Sequence, residues 1–324
     1  MRTLNDIGEF GFIEHIRKLL PTTNTVEEGI GDDCAVIRLF DHLLLATSDL
    51  FVEDVHFNRA YSPPNAIGWK AATAALSDIG AMGGAPLFCL VSLACPGDTT
   101  ALFVEELYHG LSSAVSTHGA AIVGGDTTRS HSRISIDVSV IGHANTGRYI
   151  TRRDARVGDL LAVTGRLGGS AGGLHALRNG QESDALIHAH LYPRALIEEG
   201  QWFCNHASVH ALIDITDGLL QDCGHMTNHA VGVNLRADLI PLANELDGYC
   251  QSHGLNALEL ALTGGEDYEL AFALDADAAG EVMDAFRREF RTEVHIIGEF
   301  TDSWNGVRLD GQAVDSSGFD HFKS

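Results

Sequence analysis

The sequence has very little positive charge. Among 324 residues it carries 21 Lys or Arg against 44 Asp or Glu, so the formal net charge is −23. This shortage excludes a general polyanion-binding protein, and with it a nucleic-acid partner, because phosphate backbones are bound by basic surfaces. Lysine is especially rare, and only Lys18, Lys70 and Lys323 are present. A phosphoryl-transfer enzyme of this composition would therefore neutralise phosphate charge with metal ions rather than with lysine.

Long apolar runs and paired cysteines are also missing. The longest apolar stretches, such as Leu87–Cys95, are too short to cross a bilayer, and the N-terminus lacks the apolar core of a signal peptide. The six cysteines include no CxxC pair, and the 17 histidines show no HExxH spacing. These absences argue against a zinc site. They predict a cytoplasmic protein with reduced thiols and no membrane partner.

What is present is an ordinary globular mixture with 45% hydrophobic residues and a length typical of two domains. Apolar patterns predict strands and helices without strict alternation, which favours an α+β fold over a doubly wound parallel sheet. A stretch rich in Gly, Arg and Asp, Asn145–Asp159, predicts the boundary between an N-terminal domain of residues 1–148 and a C-terminal domain of residues 149–324. The predicted elements include strands over Leu43–Thr47, Ala120–Val123, Leu160–Thr164 and Ala211–Ile215 and helices over Asn65–Met82 and Thr100–His118.

Aspartates recur where predicted strands begin or end, beside Gly, Ser or Thr. Taken singly, each is best explained as a helix cap or a turn. Taken together, they are typical of a site for several Mg²⁺ ions, since Mg²⁺ prefers carboxylates together with water and phosphate oxygens. The segments are Gly31-Asp32-Asp33, Thr47-Ser48-Asp49, Ser77-Asp78, Gly125-Asp126-Thr127, Asp214-Ile215-Thr216-Asp217-Gly218 and Gly264-Gly265-Glu266-Asp267.

The explanation as a helix cap or turn fits Asp78 least well. It lies inside a helical segment that is rich in alanine, with Ala71, Ala72, Ala74 and Ala75. Burying an unpaired carboxylate costs several kcal/mol, so this side chain needs a cation or hydrogen-bond donors. We therefore expect Asp78 to face a site.

Two further segments have both a functional and a simpler interpretation. The glycine-rich loop Thr164–Gly173 suits a cradle of backbone amides for an anion, but such glycine clusters are as often turns or tight helix contacts. Arg152 and Arg153 either clamp a nucleotide phosphate or are solvated charges in a linker.

Six ordered motifs span nearly the whole chain, namely Gly29–Ala35, Thr47–Asp49, Leu76–Gly83, Gly124–Thr128, Thr216–Leu219 and Gly264–Leu270. Together with the terminal segment Gly318–Phe322, they resemble the motifs of the thiamine-monophosphate kinase family. The resemblance implies a two-domain α+β fold shared with aminoimidazole ribonucleotide synthetase and selenophosphate synthetase, in which the N-terminal domain binds ATP and pairs into a homodimer. It also implies phosphoryl transfer from ATP to thiamine monophosphate, the final step of thiamine diphosphate biosynthesis.

The resemblance also implies roles for individual residues. The ligands of several Mg²⁺ ions would be Asp33, Thr47, Ser48, Asp49, Asp78, Asp126, Asp214 and Asp217. The catalytic residues among them would be Asp49, Asp126 and Asp217. The residues that contact ATP would be Tyr108, Gly125, Asp126, Arg152 and Thr216, and those that hold the thiamine moiety would be His56, Glu266 and Phe319. Thr216 stands where the family often has Ser, and Phe319 where it often has Tyr or Trp.

Two alternatives stay open at this point. An ATP-dependent synthetase of the same superfamily would activate an amide oxygen or selenide, although the N-terminal Cys near a Lys that selenophosphate synthetases carry is missing. A regulator without catalysis would bind ATP and divalent cations but show no turnover. In the kinase interpretation the nucleophile is a phosphate oxygen that is already anionic, so we expect direct in-line transfer without a phospho-enzyme.

Overall fold

Two β-sheets, one in each half of the chain, organise the fold. The computed structural model describes residues 2–144, 147–314, 318–319 and 321–322. Its strands are β1 (Val26–Glu28), β2 (Ala35–Leu39), β3 (His42–Val52), β4 (Ala85–Cys95), β5 (Ala121–Arg129), β6 (Ser135–His143), β7 (Leu160–Thr164), β8 (Val209–Asp214), β9 (Gly232–Leu235), β10 (Leu270–Leu274), β11 (Val294–Thr301), β12 (Gly306–Leu309) and β13 (Gln312–Ala313). The six-stranded N-terminal sheet has the order β1-β2-β3-β6-β4-β5, and the seven-stranded C-terminal sheet has the order β13-β12-β9-β11-β7-β10-β8.

Helices connect the strands of both sheets. They are α1 (Leu4–Leu19), α2 (Pro64–Ala81), α3 (Ala101–Thr117), α4 (Gly169–Asn179), α5 (Asp184–Leu191), α6 (Ile197–Asn205), α7 (Leu219–His225), α8 (Leu246–His253), α9 (Ala257–Thr263) and α10 (Ala279–Glu289), with a short 3-10 helix at Ala237–Leu239. The central helix α2 begins at Pro64, whose fixed φ suits the first turn of a helix, and most of its residues are buried. This helix carries Asp78 into the middle of the molecule.

The N-terminal sheet has one buried and one open face. Alternate residues of β3 point to opposite faces, so Leu45 and Phe51 are buried in the core that contains α2. The other face exposes Leu50 (56%), Phe88 (37%) and Leu90 (42%). An apolar sheet face that is open to solvent is typical of an interaction surface.

Two strands are longer than the sequence predicts. β3 continues to Val52 because it pairs with β6 up to that residue, and β5 continues to Arg129 because it pairs with β4 up to that residue. Asp49 and Asp126 therefore lie within strands rather than at strand ends. β5 is also exposed along most of its length, although the apolar run at its start is typical of a buried strand.

Close packing of α2 against α3 depends on two glycines. A Cβ atom at Gly68 would lie 2.0 Å from the Leu107 carbonyl oxygen, and one at Gly110 would lie 1.9 Å from the Asn65 carbonyl oxygen. Backbones approach this closely only where no side chain intervenes.

We expect Gly68→Ala to lower the free energy of unfolding by about 1–3 kcal/mol, because added volume in a packed contact forces the backbone apart. Denaturant unfolding followed by circular dichroism measures the change. The matched control is Gly280→Ala on α10, where a Cβ atom would meet nothing within 4 Å. That variant should gain roughly 0.5–1 kcal/mol of helix stability. Equal stability of the two variants would contradict the packing argument.

The two halves of the chain meet where α2 packs against α6. A Cβ atom at Gly200 on α6 would lie 2.0 Å from the Gly80 carbonyl oxygen on α2. The helix that carries Asp78 is therefore held between its own sheet and the C-terminal half.

The predicted α+β organisation is confirmed, with one sheet ending at His143 and the other beginning at Leu160. The boundary predicted between residues 148 and 149 falls in the segment that links the two sheets, of which residues 145 and 146 lie outside the described residues. Across the described ranges, no helix has the length and apolar character needed to span a membrane.

Candidate active site

Five aspartates from both halves of the chain converge beside α2, and we call them the acidic cluster. Asp33 comes from the loop before β2, Asp49 from β3 and Asp78 from α2, whereas Asp214 ends β8 and Asp217 follows it. Burial raises the pKa of all five carboxyl groups, and the charge of Asp214 adds to the rise at the other four. The cluster thus concentrates negative charge without enough positive charge to balance it.

The size of these shifts places protonation of the cluster near neutral pH. Burial, followed by the charge of Asp214, raises the pKa of Asp49 to about 7. Burial raises the pKa of Asp214 to about 6 and that of Asp217 to about 6. A carboxyl group with a pKa near 7 is partly protonated at neutral pH, and a bound cation would displace that proton.

Two buried carboxylate oxygens of the acidic cluster, Oδ2 of Asp33 and Oδ2 of Asp214, find no hydrogen-bond partner among the described residues. The Oδ1 atom of Asp33 accepts from Arg152 Nη1 at 3.1 Å, and Asp78 Oδ2 accepts from Thr47 Oγ1. Buried oxygens without donors, beside further carboxylates, suit a hard divalent cation.

The cluster does not form a closed metal site. Among the side chains that the structure describes, no group of three His, Cys, Asp or Glu residues is arranged to hold a metal ion by itself. Mg²⁺ usually keeps several waters and takes one or two carboxylates together with substrate phosphates. The arrangement therefore suits an ion that completes its coordination with a nucleotide.

Strand alternation sends Thr47 and Ser48, both predicted as metal ligands, to opposite faces of β3. Thr47 reaches Asp78 in the acidic cluster. Ser48 faces the other way, where its Oγ donates to Asp137 Oδ1 at 2.7 Å and lies 2.9 Å from Ser139 Oγ. The structure therefore brings the Thr47 side chain to the cluster but not that of Ser48.

The residues predicted to contact ATP lie in two separate places. Arg152 and Thr216 lie near the acidic cluster: Arg152 binds Asp33, and Thr216 precedes Asp217. The Gly125-Asp126 pair lies instead on β5, the last strand of the N-terminal sheet, and Tyr108 lies on α3, which packs beside β5.

The register of the sheet shows how far Asp126 lies from the acidic cluster. Asp49 is level with Gly125 across the intervening strands β6 and β4. Three spacings between strands correspond to about 14 Å. Asp126 is also in register with Asp137, through β4, and so lies on the face opposite Asp49. The structure therefore does not bring Asp126 to the acidic cluster of its own chain.

Asp222 shapes the loop that follows β8. Its Oδ2 atom accepts from the backbone amides of Thr216, Asp217 and Gly218 at 3.0, 3.2 and 3.1 Å. Gln221 Nε2 then donates to Asp217 Oδ2 at 2.9 Å. These bonds fix the backbone and side chain of Asp217 in one orientation.

A cavity of about 1540 Å³ opens beside the acidic cluster. Its wall brings together the three residues predicted to hold thiamine, which are His56, Glu266 and Phe319, with Asp49 and Asp217. A concave site with apolar walls and a few convergent polar groups is typical of a binding pocket for a small molecule.

His56 is a neutral hydrogen-bond donor in this wall. Burial, followed by the nearby His321, lowers its pKa to about 4. Its Nδ1 accepts from the Val52 amide at 3.0 Å, so Nε2 carries the proton of the neutral ring. The ring stacks on Phe51 with 4.9 Å between centroids. His56 can therefore donate to a ligand without adding positive charge.

Phe319 lies at the rim of the cavity and is 48% exposed. Its amide donates to the Asp217 carbonyl oxygen at 3.2 Å, and its own carbonyl oxygen accepts from Gln221 Nε2 at 3.0 Å. An exposed aromatic ring beside an acidic cavity suits a cationic aromatic ligand. Asp320, from the same C-terminal motif, lies outside the described residues.

The glycine-rich loop binds a carboxylate of the protein itself. The amides of Gly168 and Ser170, where α4 begins, donate to Asp267 at 2.6 and 3.0 Å. The predicted anion cradle is therefore filled by Asp267, which follows Glu266 in the chain. This contact links α4 to the cavity wall.

Lys70, like Asp222 and Asp267, is a residue of the site for which the sequence predicted no role. Its side chain is almost fully buried on α2, and its Nζ lies 2.5 Å from Glu266 Oε2. The available signal was a lone lysine in the same alanine-rich helix as Asp78, because a buried ammonium group needs a partner just as a buried carboxylate does.

Two family models cover most of the chain and give its class. Residues 31–144 match the AIR synthase related protein, N-terminal domain, and residues 156–310 match the AIR synthase related protein, C-terminal domain. The fold and the site thus define an AIR synthase related protein with two domains.

Individual relatives identify the family within this class. The chain is 37% identical over 325 residues to the thiamine-monophosphate kinase of Aquifex aeolicus (strain VF5), with 98% of this chain and 99% of the relative covered. It is 31% identical over 334 residues to the thiamine-monophosphate kinase of Bacillus subtilis (strain 168), with 98% and 100% covered. The chain belongs to the thiamine-monophosphate kinase family. Among solved structures, AaThiL complexed with AMPPCP and TMP superimposes with a TM-score of 0.88 at 35% identity, covering 99% of each chain.

Proposed function

We propose that this chain is an enzyme that transfers the γ-phosphoryl group of ATP to the phosphate of thiamine monophosphate, giving ADP and thiamine diphosphate. The observation that carries the proposal is the cavity itself, which joins the acidic cluster to a wall containing His56, Glu266 and Phe319. Family membership supports it, as does the similar AaThiL structure in complex with AMPPCP and TMP. The product is the end product of thiamine diphosphate biosynthesis.

The wall residues match the chemistry of the thiamine moiety. Its thiazolium ring is positively charged, so it favours an acidic cavity and an aromatic face such as that of Phe319. In this proposal Glu266 accepts a hydrogen bond from the aminopyrimidine, and His56 donates from Nε2. Each of these contacts uses a polar group that the cavity wall already presents.

We propose that several Mg²⁺ ions act at this site, held by Asp33, Asp49, Asp78 and Asp214, with Asp217 holding a further ion near the transferred phosphate. Bound Mg²⁺ would relieve the repulsion between the two phosphate groups and align attacking and leaving oxygens. The protein contributes the carboxylates that would hold these ions. Because the acceptor oxygen is already anionic, we propose direct in-line transfer without a general base.

A coupled assay of ADP release tests the substrate. We expect turnover with ATP, Mg²⁺ and thiamine monophosphate and none with free thiamine, because only the monophosphate offers an anionic nucleophile. Turnover with free thiamine only would overturn the substrate assignment. Binding of ATP and Mg²⁺ without turnover on either compound would instead indicate a regulator.

We further propose a homodimer that forms through the open face of the N-terminal sheet. This makes residues 1–148 the dimerisation and nucleotide-binding domain, and residues 149–324 the domain that completes the substrate site. The exposed Leu50 and Leu90 support this, because pairing would remove apolar surface from water. Asp126 lies on the same face, away from the acidic cluster of its own chain, which suits a nucleotide site that is completed by pairing.

Leu90→Glu is expected to convert the dimer to a monomer, because the interface would then bury an unpaired charge. Size-exclusion chromatography with light scattering measures the mass. Leu239→Glu is the matched control, since Leu239 is similarly exposed, at 43% against 42%, but lies in the C-terminal half. A wild-type monomer, or a dimer that persists in Leu90→Glu, would contradict the proposed interface.

We also propose that the protein acts in the cytoplasm. Its six cysteines are all free, and five of them are buried. Unpaired thiols of this number are typical of a reducing compartment.

A further inference from the structure

A buried polar network lies directly behind the cavity wall at Glu266. Lys70 Nζ contacts Glu266 Oε2 at 2.5 Å, and the side-chain exposure is only 4% for Lys70 against 24% for Glu266. His190 lies beside the ammonium group, with 3.3 Å between Lys70 Nζ and His190 Nε2. His190 Nδ1 in turn lies 2.9 Å from Ser170 Oγ on α4. The network therefore connects α2, α5 and α4 to one carboxylate of the wall.

The histidine in this network does not compete for the carboxylate. Burial, followed by the charge of Lys70, lowers the pKa of His190 to about 3, so the ring is neutral. Its Nδ1 is 3.7 Å from Glu266 Oε2, which is too long for a hydrogen bond. Lys70 is therefore the cation that balances Glu266, and His190 packs against that pair.

Hydrogen bonds also fix the backbone at Glu266. Glu266 has φ 65° and Tyr268 has φ 52°, both in the left-handed region that is unfavourable for these residues. The conformation is maintained by bonds to the neighbouring loop, from the Glu266 amide to the Thr216 carbonyl at 2.7 Å and from the Tyr268 amide to the Ile215 carbonyl at 2.9 Å. These bonds therefore maintain an unfavourable backbone conformation at the residue that presents this carboxylate.

We propose that Lys70 is a positioning residue for substrate recognition, which fixes the Glu266 carboxylate so that its free oxygen faces the thiamine moiety. This rests on the proposed function. The contacts of this carboxylate that the structure describes use Oε2, so Oε1 is left to accept from a ligand. Lys70 itself is too deeply buried to bind substrate phosphate. Its effect therefore passes through Glu266 and concerns affinity rather than the chemical step.

Steady-state kinetics of Lys70→Met tests this role. Methionine keeps the length and apolar stem of lysine but removes the charge. We expect the KM for thiamine monophosphate to rise about tenfold or more, because the charge-assisted hydrogen bond from Lys70 no longer orients the Glu266 carboxylate. The kcat should change by less than about threefold, because binding energy that is lost equally in the ground state and the transition state raises KM without lowering kcat. The KM for ATP should not change, because Glu266 contacts only the thiamine moiety in this proposal.

Lys18→Met is the matched control, because Lys18 lies on α1 with its side chain 71% exposed and pairs only with Glu14 within the described residues. It removes the same charge, and its kinetic constants should equal those of the wild type. A rise in KM shared by Lys18→Met would show an effect of net charge and overturn the role of Lys70.

A double-variant cycle separates positioning from direct contact. Glu266→Gln alone should raise the KM for thiamine monophosphate, and adding Lys70→Met should raise it no further, because Lys70 acts only through Glu266. The double variant also leaves no unpaired buried charge, so it remains informative if Lys70→Met alone does not fold. Additive effects, or an unchanged KM in Lys70→Met, would overturn the inference. Failure of the wild type to turn over thiamine monophosphate would instead overturn the proposed function.

Discussion

The turnover rate of Asp78→Asn should be about 100 to 1000 times lower than that of the wild type, and the variant should fold at least as well. The expected loss follows from the position of Asp78 on α2, where the nearby charges of Asp49, Asp214 and Asp33 help to raise its pKa. Asparagine keeps the shape but removes the charge that would hold a cation. Stability should not suffer, because burial and neighbouring carboxylates raise the pKa of Asp78 and so make its ionised form costly in the folded protein.

ADP release at saturating Mg²⁺ and thermal unfolding together measure this prediction. Asp49→Asn should behave in the same way, since Asp49 belongs to the same cluster. Asp284→Asn is the control, because Asp284 is exposed on α10 and pairs with Arg287 at the surface. It should keep the turnover and the melting temperature of the wild type. Near-normal turnover of both cluster variants would refute a metal site built from these carboxylates.

The metal-free protein should lose stability as the pH rises from about 6.5 to about 8, and Mg²⁺ should restore it. Burial raises the pKa of Asp49 to about 7, so its proton is lost within this pH range, whereas Asp214 and Asp217, with pKa values raised to about 6, lose most of their protons below it. A carboxyl group whose pKa is higher in the folded state stabilises the fold while protonated, and that stabilisation is lost as the pH rises through the folded value. Mg²⁺ replaces these protons, so its effect on the melting temperature should be larger at the higher pH.

Other buried groups set the design of this experiment. The pKa of Glu269 is also raised to about 7 by burial, so it adds to the decline, but it lies outside the acidic cluster and Mg²⁺ should not cancel its part. Histidines with lowered pKa values, such as His190 and His225, act in the opposite direction and mainly below about pH 6.5. The informative quantity is therefore the rise in melting temperature on adding Mg²⁺. An equal rise at both pH values, or the same pH dependence in Asp49→Asn, would contradict the account.

The sequence alone predicted the parts of the site whose signal is local. An aspartate inside an alanine-rich helix is unusual enough to predict Asp78 as a site residue, whereas Asp217, in a common Asp-Gly turn, gained its role from the joint pattern of aspartates and from the family resemblance. Both lie in the acidic cluster. The α+β organisation also followed from local apolar patterns.

What could not be predicted depends on pairing between distant segments. β3 and β5 run past their predicted ends because β6 and β4 continue to pair with them, which decides that Ser48 and Asp126 face away from Asp49. Local sequence does not contain this register. The roles of Lys70 and Asp267 could not be predicted either, because each depends on a distant partner. Lys70 is 196 residues from Glu266 in the sequence, and Asp267 is 99 residues from Gly168.

In the proposed reaction, the γ-phosphoryl group of ATP passes to the phosphate of thiamine monophosphate at the acidic cluster. ³¹P NMR of the protein with ATP, Mg²⁺ and thiamine monophosphate follows every phosphorus atom of that reaction. We predict that ADP and the β-phosphate of thiamine diphosphate appear at equal rates, without orthophosphate. Accumulation of orthophosphate while thiamine monophosphate stays unchanged would contradict the account.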